Sequence, residues 1–333
     1  MTTNNKASRI PALDFTKGAL VLIMVLYHWI NYFYGPQDNR YLRFLTPSFI
    51  FITGFLISHV YFVKYGISDP QLPKRLIQRG LKILGVFALL NVTRSLLGQG
   101  SPQGQALSAG SPIRNLIDVY LIGSGQAKAV AFFVLVPISY LLILSALLLV
   151  VSRFYRYTFH VMCLLFLLCT VVLDYVGIYT YLELLTIGLL GVIAGYLPLE
   201  RVNAVVRHPY LLAAAYLLYL AAITTWNVIY PLQIVGVCLS LMIIYLLGQQ
   251  SGEPGKARAC ILLLGKYSLV GYIAQIAILQ LLRFGLGHID SEMVVLGLSF
   301  VLAFALTIIS IEVLDRTRAQ STTLDKFYKA VFA

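Results

Sequence analysis

The chain has 333 residues, of which 59% are hydrophobic and only 11% charged, with a mean hydropathy of +0.83. A soluble chain carries about 25% charged residues, so this composition excludes an ordinary water-soluble enzyme and points to a protein solvated by lipid. The net charge of +12 calls for no nucleic acid: Lys and Arg collect in the cytoplasmic loops of membrane proteins, and a basic total follows.

In chain order, the N-terminus MTTNNKASRI is polar and the first apolar stretch holds Asp14 and Lys17 without a small-residue cleavage site, so no cleavable leader is expected. Ten apolar stretches then follow, at roughly 12–34, 43–63, 78–97, 129–151, 158–176, 181–198, 209–226, 228–248, 260–282 and 293–314. The predicted fold is all-α: one membrane-embedded domain over residues 1–333 with about ten transmembrane helices. No internal repeat and no second, soluble domain is visible.

The charges assign the sides. Lys6, Arg9, Lys17, Lys64, Lys74, Arg75, Arg79, Lys82, Arg153, Arg156, Arg201, Arg207, Lys256, Arg258, Lys266, Arg316, Arg318, Lys326 and Lys329 fall at the N-terminus, at every second loop and in the tail. The alternate loops hold Arg40, Arg43, Arg94, Arg114, Lys128 and Arg283. That asymmetry predicts both termini in the cytoplasm. One predicted outer loop, 98–127, is long and rich in Gly, Ser, Gln and Pro, with an apolar patch NLIDVYLIG inside it. It reads equally as a linker or as a lid over an acceptor. Cys163, Cys169, Cys238 and Cys260 lie in or beside apolar stretches without CxxC spacing, which suggests buried thiols rather than a disulfide framework or a zinc site.

The first span carries the strongest clue. Asp14, Lys17, Val21, Met24, His28 and Asn31 step by three or four and form one stripe. Lys17 and His28 are eleven residues apart, three turns plus roughly 20°, so they share a face about 16 Å apart along the axis. Ionisable groups at membrane depth are costly and face a bundle interior or a wet cavity. Asp14 and Lys17, one turn apart, are placed to pair. Neutral imidazole is the natural general base near pH 7, although a histidine hydrogen-bonded between helices is the structural alternative. His28, His59, His160, His208 and His288 show no metal-ligand spacing, so no metal is expected.

Two further groups stand out. Lys74, Arg75, Arg79 and Lys82, in PKRLIQRGLKILG, read either as a topology signal or as a polyanion site. Arg79 and Lys82 are one turn apart and can address one phosphate. Arg94, twelve residues beyond Lys82, is harder to ascribe to topology. Late in the chain, Ser268, Tyr272 and Gln275 recur at helical spacing in LLGKYSLVGYIAQ; hydrogen bonding between helices is the bland reading of such residues. Asp118, Asp174, Glu183 and Glu312 are acids near the span ends that can orient a base.

These segments resemble the acyltransferase 3 family of integral-membrane O-acyltransferases. RIPALDFTKGALVLIMVLYHW is similar to the family's opening, a basic residue, ten residues and a His, matched by Lys17 and His28. FLTPSFIFITGFLIS resembles its second span, with Thr53 and Gly54 in the small-hydroxyl and Gly places. RGLK (79–82) resembles its Arg-x-x-Arg motif with Lys82 as the second basic residue, and LLGKYSLVGYIAQ its Ser–Tyr–His segment with Gln275 in the His place. Lys at 17 and 82 still binds phosphate but loses the bidentate fork of Arg.

The resemblance implies transfer of an acyl group, acetyl by default, from cytoplasmic acyl-CoA to a hydroxyl of a sugar or cell-envelope glycan, in a bacterial inner membrane. On that reading His28 is the general base, with Asn31 and Asp14 on its stripe. Lys17, Arg75, Arg79, Lys82 and Arg94 serve the donor, and Tyr272 and Gln275 the acceptor. Arg94, Gln275 or Asn31 can stabilise the oxyanion, and a covalent acyl-histidine is an open alternative. The competing reading from the residues is a secondary transporter of a small anionic or sugar-like solute, since transporters also place ionisable groups at midplane.

Overall fold

The computed structural model describes residues 10–34, 40–67, 69–96, 119–120, 123, 132–178, 180–226, 229–249, 255–286 and 291–332. Among these residues every regular element is helical. We label the helices α1 (Pro11–Phe33), α2 (Leu45–Leu56), α3 (Gln71–Leu96), α4 (Leu135–Ser152), α5 (Thr158–Val176), α6 (Tyr181–Ala194) and α7 (Leu199–Val206). There follow α8 (Pro209–Thr225), α9 (Tyr230–Gly248), α10 (Lys256–Lys266), α11 (Ser268–Leu286), α12 (Glu292–Gln320) and α13 (Thr322–Phe332). The end of the bundle at which α1 begins is called basal, the opposite end distal.

Eight of these helical segments are long and apolar enough to cross a membrane. The pair α6 and α7, bent by 103°, supplies a ninth, and α8 is a shorter apolar helix. Each of the ten expected stretches coincides with a helix, but eight, or nine counting the bent pair as one span, are long and apolar enough to cross; the protein is an all-α, multi-pass membrane protein. The edges differ in two informative places. The stretch expected at 260–282 is broken at Tyr267, so that α10 is a separate short helix and α11 makes the crossing. Lys256, Arg258 and Lys266 bracket an apolar run too short to span hydrocarbon. The third helix begins at Gln71, earlier than expected, so the basic cluster lies on a helix rather than in a linker.

α1 is the central element. Pro11 presets its first turn and Asp14 sits favourably at its positive end. Its buried residues include Leu20, Val21, Met24, Val25 and Trp29, and it packs on α2, α9, α10, α11 and α12. The crossing with α10 is close because two glycines meet backbone: a Cβ at Gly18 would lie 1.9 Å from the Ile261 carbonyl, and one at Gly265 would lie 1.7 Å from the Asp14 carbonyl. α2 and α6 interlock in the same way, with the Gly54 position 2.0 Å from the Gly188 carbonyl. Small residues permit such contact between membrane helices, where dispersion rather than water exclusion holds them together. Beyond Leu56, α2 continues through a π-helical turn, Ile57–Phe62, and ends at Tyr65.

α3 and α4 run side by side, with Arg153 donating to the Asp69 carbonyl (3.1 Å) where α4 ends and α3 begins. Most of loop 98–127 lies outside the described residues. Its residues Val119 and Tyr120 are held inside the bundle, where their carbonyls accept from the hydroxyls of Tyr181 and Tyr140.

Candidate functional site

His28 lies near the distal half of α1, with its ring edge-on to Tyr27 at 5.2 Å and tilted 55° to the ring of Tyr272 at 6.4 Å. Its Nε2 is shielded from solvent and has no hydrogen-bond partner among the described residues. The structural alternative for this histidine required such a partner. Tyr272, from α11, is buried, with its hydroxyl close to the backbone at Val134, just before α4 begins. One turn farther along α11, Gln275 is wholly buried, and neither its Nε2 nor its Oε1 has a partner among the described residues. The expected hydrogen bonding of Gln275 between helices is therefore absent among those residues. α1 and α11 pack directly, and each carries a buried polar side chain with hydrogen-bonding capacity unspent among the described residues. Unpaired polar groups at this depth are costly, which is why they mark function more often than packing.

The Val134 contact could not be read from sequence. Phe132, two residues earlier, has φ of +63°, a left-handed conformation that costs a bulky residue about 1–2 kcal/mol. It is fixed by burial of Phe132 and by Phe133 stacking on Tyr181 at 5.2 Å. Only tertiary packing makes that turn, so no local signal announces it. Tyr27, beside His28, was equally unremarkable in the sequence.

Asp14 and Lys17 form the expected pair, Nζ to Oδ1 2.6 Å, with side chains about 17–18% exposed. Asp14 therefore engages Lys17 and not His28, fourteen residues or about 21 Å along the same helix. Asn31 is half-buried one turn beyond His28 and makes an interaction of its own. Thr53 returns its hydroxyl to the Phe49 carbonyl at 2.8 Å within α2.

The basic cluster on α3 is arranged against aromatic faces. Arg75 lies over Tyr65 at 4.3 Å and donates to Gln71 at 3.1 Å. Arg79 lies over Tyr61 at 5.6 Å, half-buried and without an ion pair among the described residues. Lys74 and Lys82 are exposed. Arg94 falls in the last turn of α3, about 18 Å beyond Lys82 by helical rise, and its side chain lies outside the described residues. The structure thus brings His28 beside Tyr272, with Gln275 one turn along α11 from Tyr272, and sets Arg75, Arg79 and Lys82 along another element. Asp174 accepts from the Tyr230 amide at 3.0 Å, and the Glu183 carbonyl accepts from the Tyr230 hydroxyl at 2.7 Å. Among the described residues no group of three His, Cys, Asp or Glu side chains is placed to hold a metal ion.

The family profile described as an acyltransferase domain matches residues 10–312. The chain belongs to the acyltransferase 3 family. That match takes in both gathered groups, from Asp14 through Gln275, and the close helix crossings that support them. It makes this acyltransferase 3 protein a membrane-embedded acyltransferase. No match was found to a curated protein or to a solved structure.

Proposed function

We propose that the protein moves an acyl group, acetyl by default, from cytoplasmic acyl-CoA to a hydroxyl of a sugar or cell-envelope glycan across a bacterial inner membrane. In this reading the basal end, where α1 begins and α13 packs, is cytoplasmic. The observation that carries the reading is the buried Nε2 of His28 beside Tyr272, without a hydrogen-bond partner among the described residues. Such a nitrogen is free to take a proton from an acceptor hydroxyl, and imidazole does so near neutral pH.

Arg75, Arg79 and Lys82 hold the donor phosphates at the basal end, and the thin pantetheine arm reaches along the bundle toward His28. Lys17 adds positive charge there, offset by Asp14. As Nε2 removes the hydroxyl proton, the acceptor oxygen attacks the thioester carbonyl. The Gln275 amide, with Asn31 or Arg94, donates to the developing oxyanion. Collapse breaks the C–S bond, and the leaving thiolate takes the proton back from the imidazolium, so no net charge is left in the membrane. Tyr272 shapes the acceptor side, its hydroxyl close to the Val134 backbone.

The test is to incubate purified wild-type and His28→Ala protein with labelled acetyl-CoA or succinyl-CoA and a membrane-glycan extract, following thiol release and label. A general base contributes about 10²–10⁴-fold, so His28→Ala is expected to lose at least about a hundredfold in kcat at unchanged expression. Full activity in the variant would remove His28 from the chemistry.

A further inference from the structure

The tail helix α13 packs on α12 and also on α3, the helix of the basic cluster. Its position is secured by one guanidinium. Arg318, near the end of α12, donates from Nε to Asp325 (3.1 Å) and from Nη1 to the Tyr267 hydroxyl (3.0 Å). Its Cζ lies over the Tyr328 ring, 3.8 Å from the ring centre. Tyr267 meets the same ring edge-on at 5.5 Å, and Lys329 pairs with Asp325 at 2.5 Å. Asp315 in turn accepts from Lys266 (2.6 Å) and Tyr267. A flexible tail would need none of this; the network fixes the direction of one phenol.

That phenol is close enough to Arg79 for the two to interact electrostatically. The Tyr328 hydroxyl has no hydrogen-bond partner among the described residues, and Arg79 has no anionic partner there. The tail helix thus carries a phenol to the helix of the basic cluster, within electrostatic reach of Arg79, and two donors so placed are groups that a phosphate oxygen can satisfy. Burial raises the Tyr328 phenol above its ordinary range, against the pull of Arg318, so the hydroxyl keeps its proton at neutral pH.

We propose that Tyr328 completes the donor site: its hydroxyl and the Arg79 guanidinium together hold a phosphate of the nucleotide end of acyl-CoA, a binding role and not a catalytic one. The proposal rests on reading the basal end as the donor mouth. It makes α13 a wall of the site rather than a disposable tail.

Tyr328→Phe keeps the ring, its stack under Arg318 and the docking of α13, and removes only the hydroxyl. Steady-state kinetics would be measured with acetyl-CoA and with S-acetyl-pantetheine, which lacks the nucleotide. A hydrogen bond to a charged group is worth about tenfold, so the KM for acetyl-CoA is expected to rise about tenfold at unchanged kcat. Inhibition by adenosine 3′,5′-bisphosphate should weaken in step, and the KM for S-acetyl-pantetheine should stay as in wild type. An unchanged KM for acetyl-CoA, or an equal rise with both donors, would overturn the proposal. A fall in KM would overturn it too, showing that Tyr328 obstructs Arg79. If wild type binds and turns over neither donor, the donor reading itself fails, whatever the variant does.

Discussion

Gln275→Leu separates structural from catalytic reasoning because the two predict effects of opposite sign. In the folded chain this carboxamide is fully buried with both polar atoms unpartnered among the described residues. Burying a polar group without partners costs about 1–3 kcal/mol, though in membranes much of this is softened because the unfolded chain is also in lipid. Leucine has nearly the same volume and no polar atoms, so the variant should gain about 1 kcal/mol, or about 2 °C in thermal midpoint. If the amide serves the oxyanion, the same change should lower kcat by about 10²–10³-fold. The assay pairs intrinsic-fluorescence melting in detergent with thiol release from acetyl-CoA. A variant less stable than wild type by more than about 1 kcal/mol would refute the burial argument, since it would mean the amide is satisfied in the native bundle. A stabilised variant with normal turnover would leave Gln275 as packing and remove it from the mechanism.

Two further outcomes test the frame around the site. Gly265→Val places a side chain where the Asp14 carbonyl already lies 1.7 Å from a Cβ position, so α1 and α10 must separate; the expected loss is about 1–3 kcal/mol, read as a lower melting midpoint, and an unchanged midpoint would show that the crossing is not tight. For the Asp14–Lys17 pair, at 2.6 Å and mostly shielded, a double-mutant cycle with Asp14→Asn and Lys17→Met should give a coupling of about 1–2 kcal/mol, between exposed and buried pairs. A coupling near zero would mean that water solvates both charges.

The fold was legible because lipid imposes a simple rule: apolar runs of sufficient length must be helices. That rule located the segments around α1, α5, α8 and α9 to within a few residues of their observed bounds. It failed where charge and tertiary contact intervene. The break at Tyr267 follows directly on Gly265, which lies against the α1 backbone, and the left-handed turn at Phe132 sits beside aromatic packing from α6. Neither leaves a mark in hydropathy. The site divides in the same way. His28, Tyr272 and Gln275 were visible as polar residues at helical spacing inside apolar runs, whereas the Val134 backbone that meets Tyr272 has no side-chain signature. The Arg318–Tyr328–Tyr267 cluster went unread because its members, separated in sequence, look like an ordinary basic tail.

The placement of charge also changes which basic residue deserves the donor. Lys17 shares a face with His28, yet its ammonium is already matched by Asp14 at 2.6 Å. Displacing that carboxylate to bind a phosphate would forfeit an ion pair to form another, with little net gain. Arg79 carries no such debt: it sits half-buried over Tyr61 with no anion among the described residues, and Tyr328 stands within electrostatic reach. An anionic ligand there gains a partner without breaking one. On the proposed reading, phosphate binding therefore belongs to the junction of α3 and the tail helix rather than to α1. That leaves Lys17 with Asp14 as a neutral pair that lets α1 enter the bilayer, with His28 about three turns above.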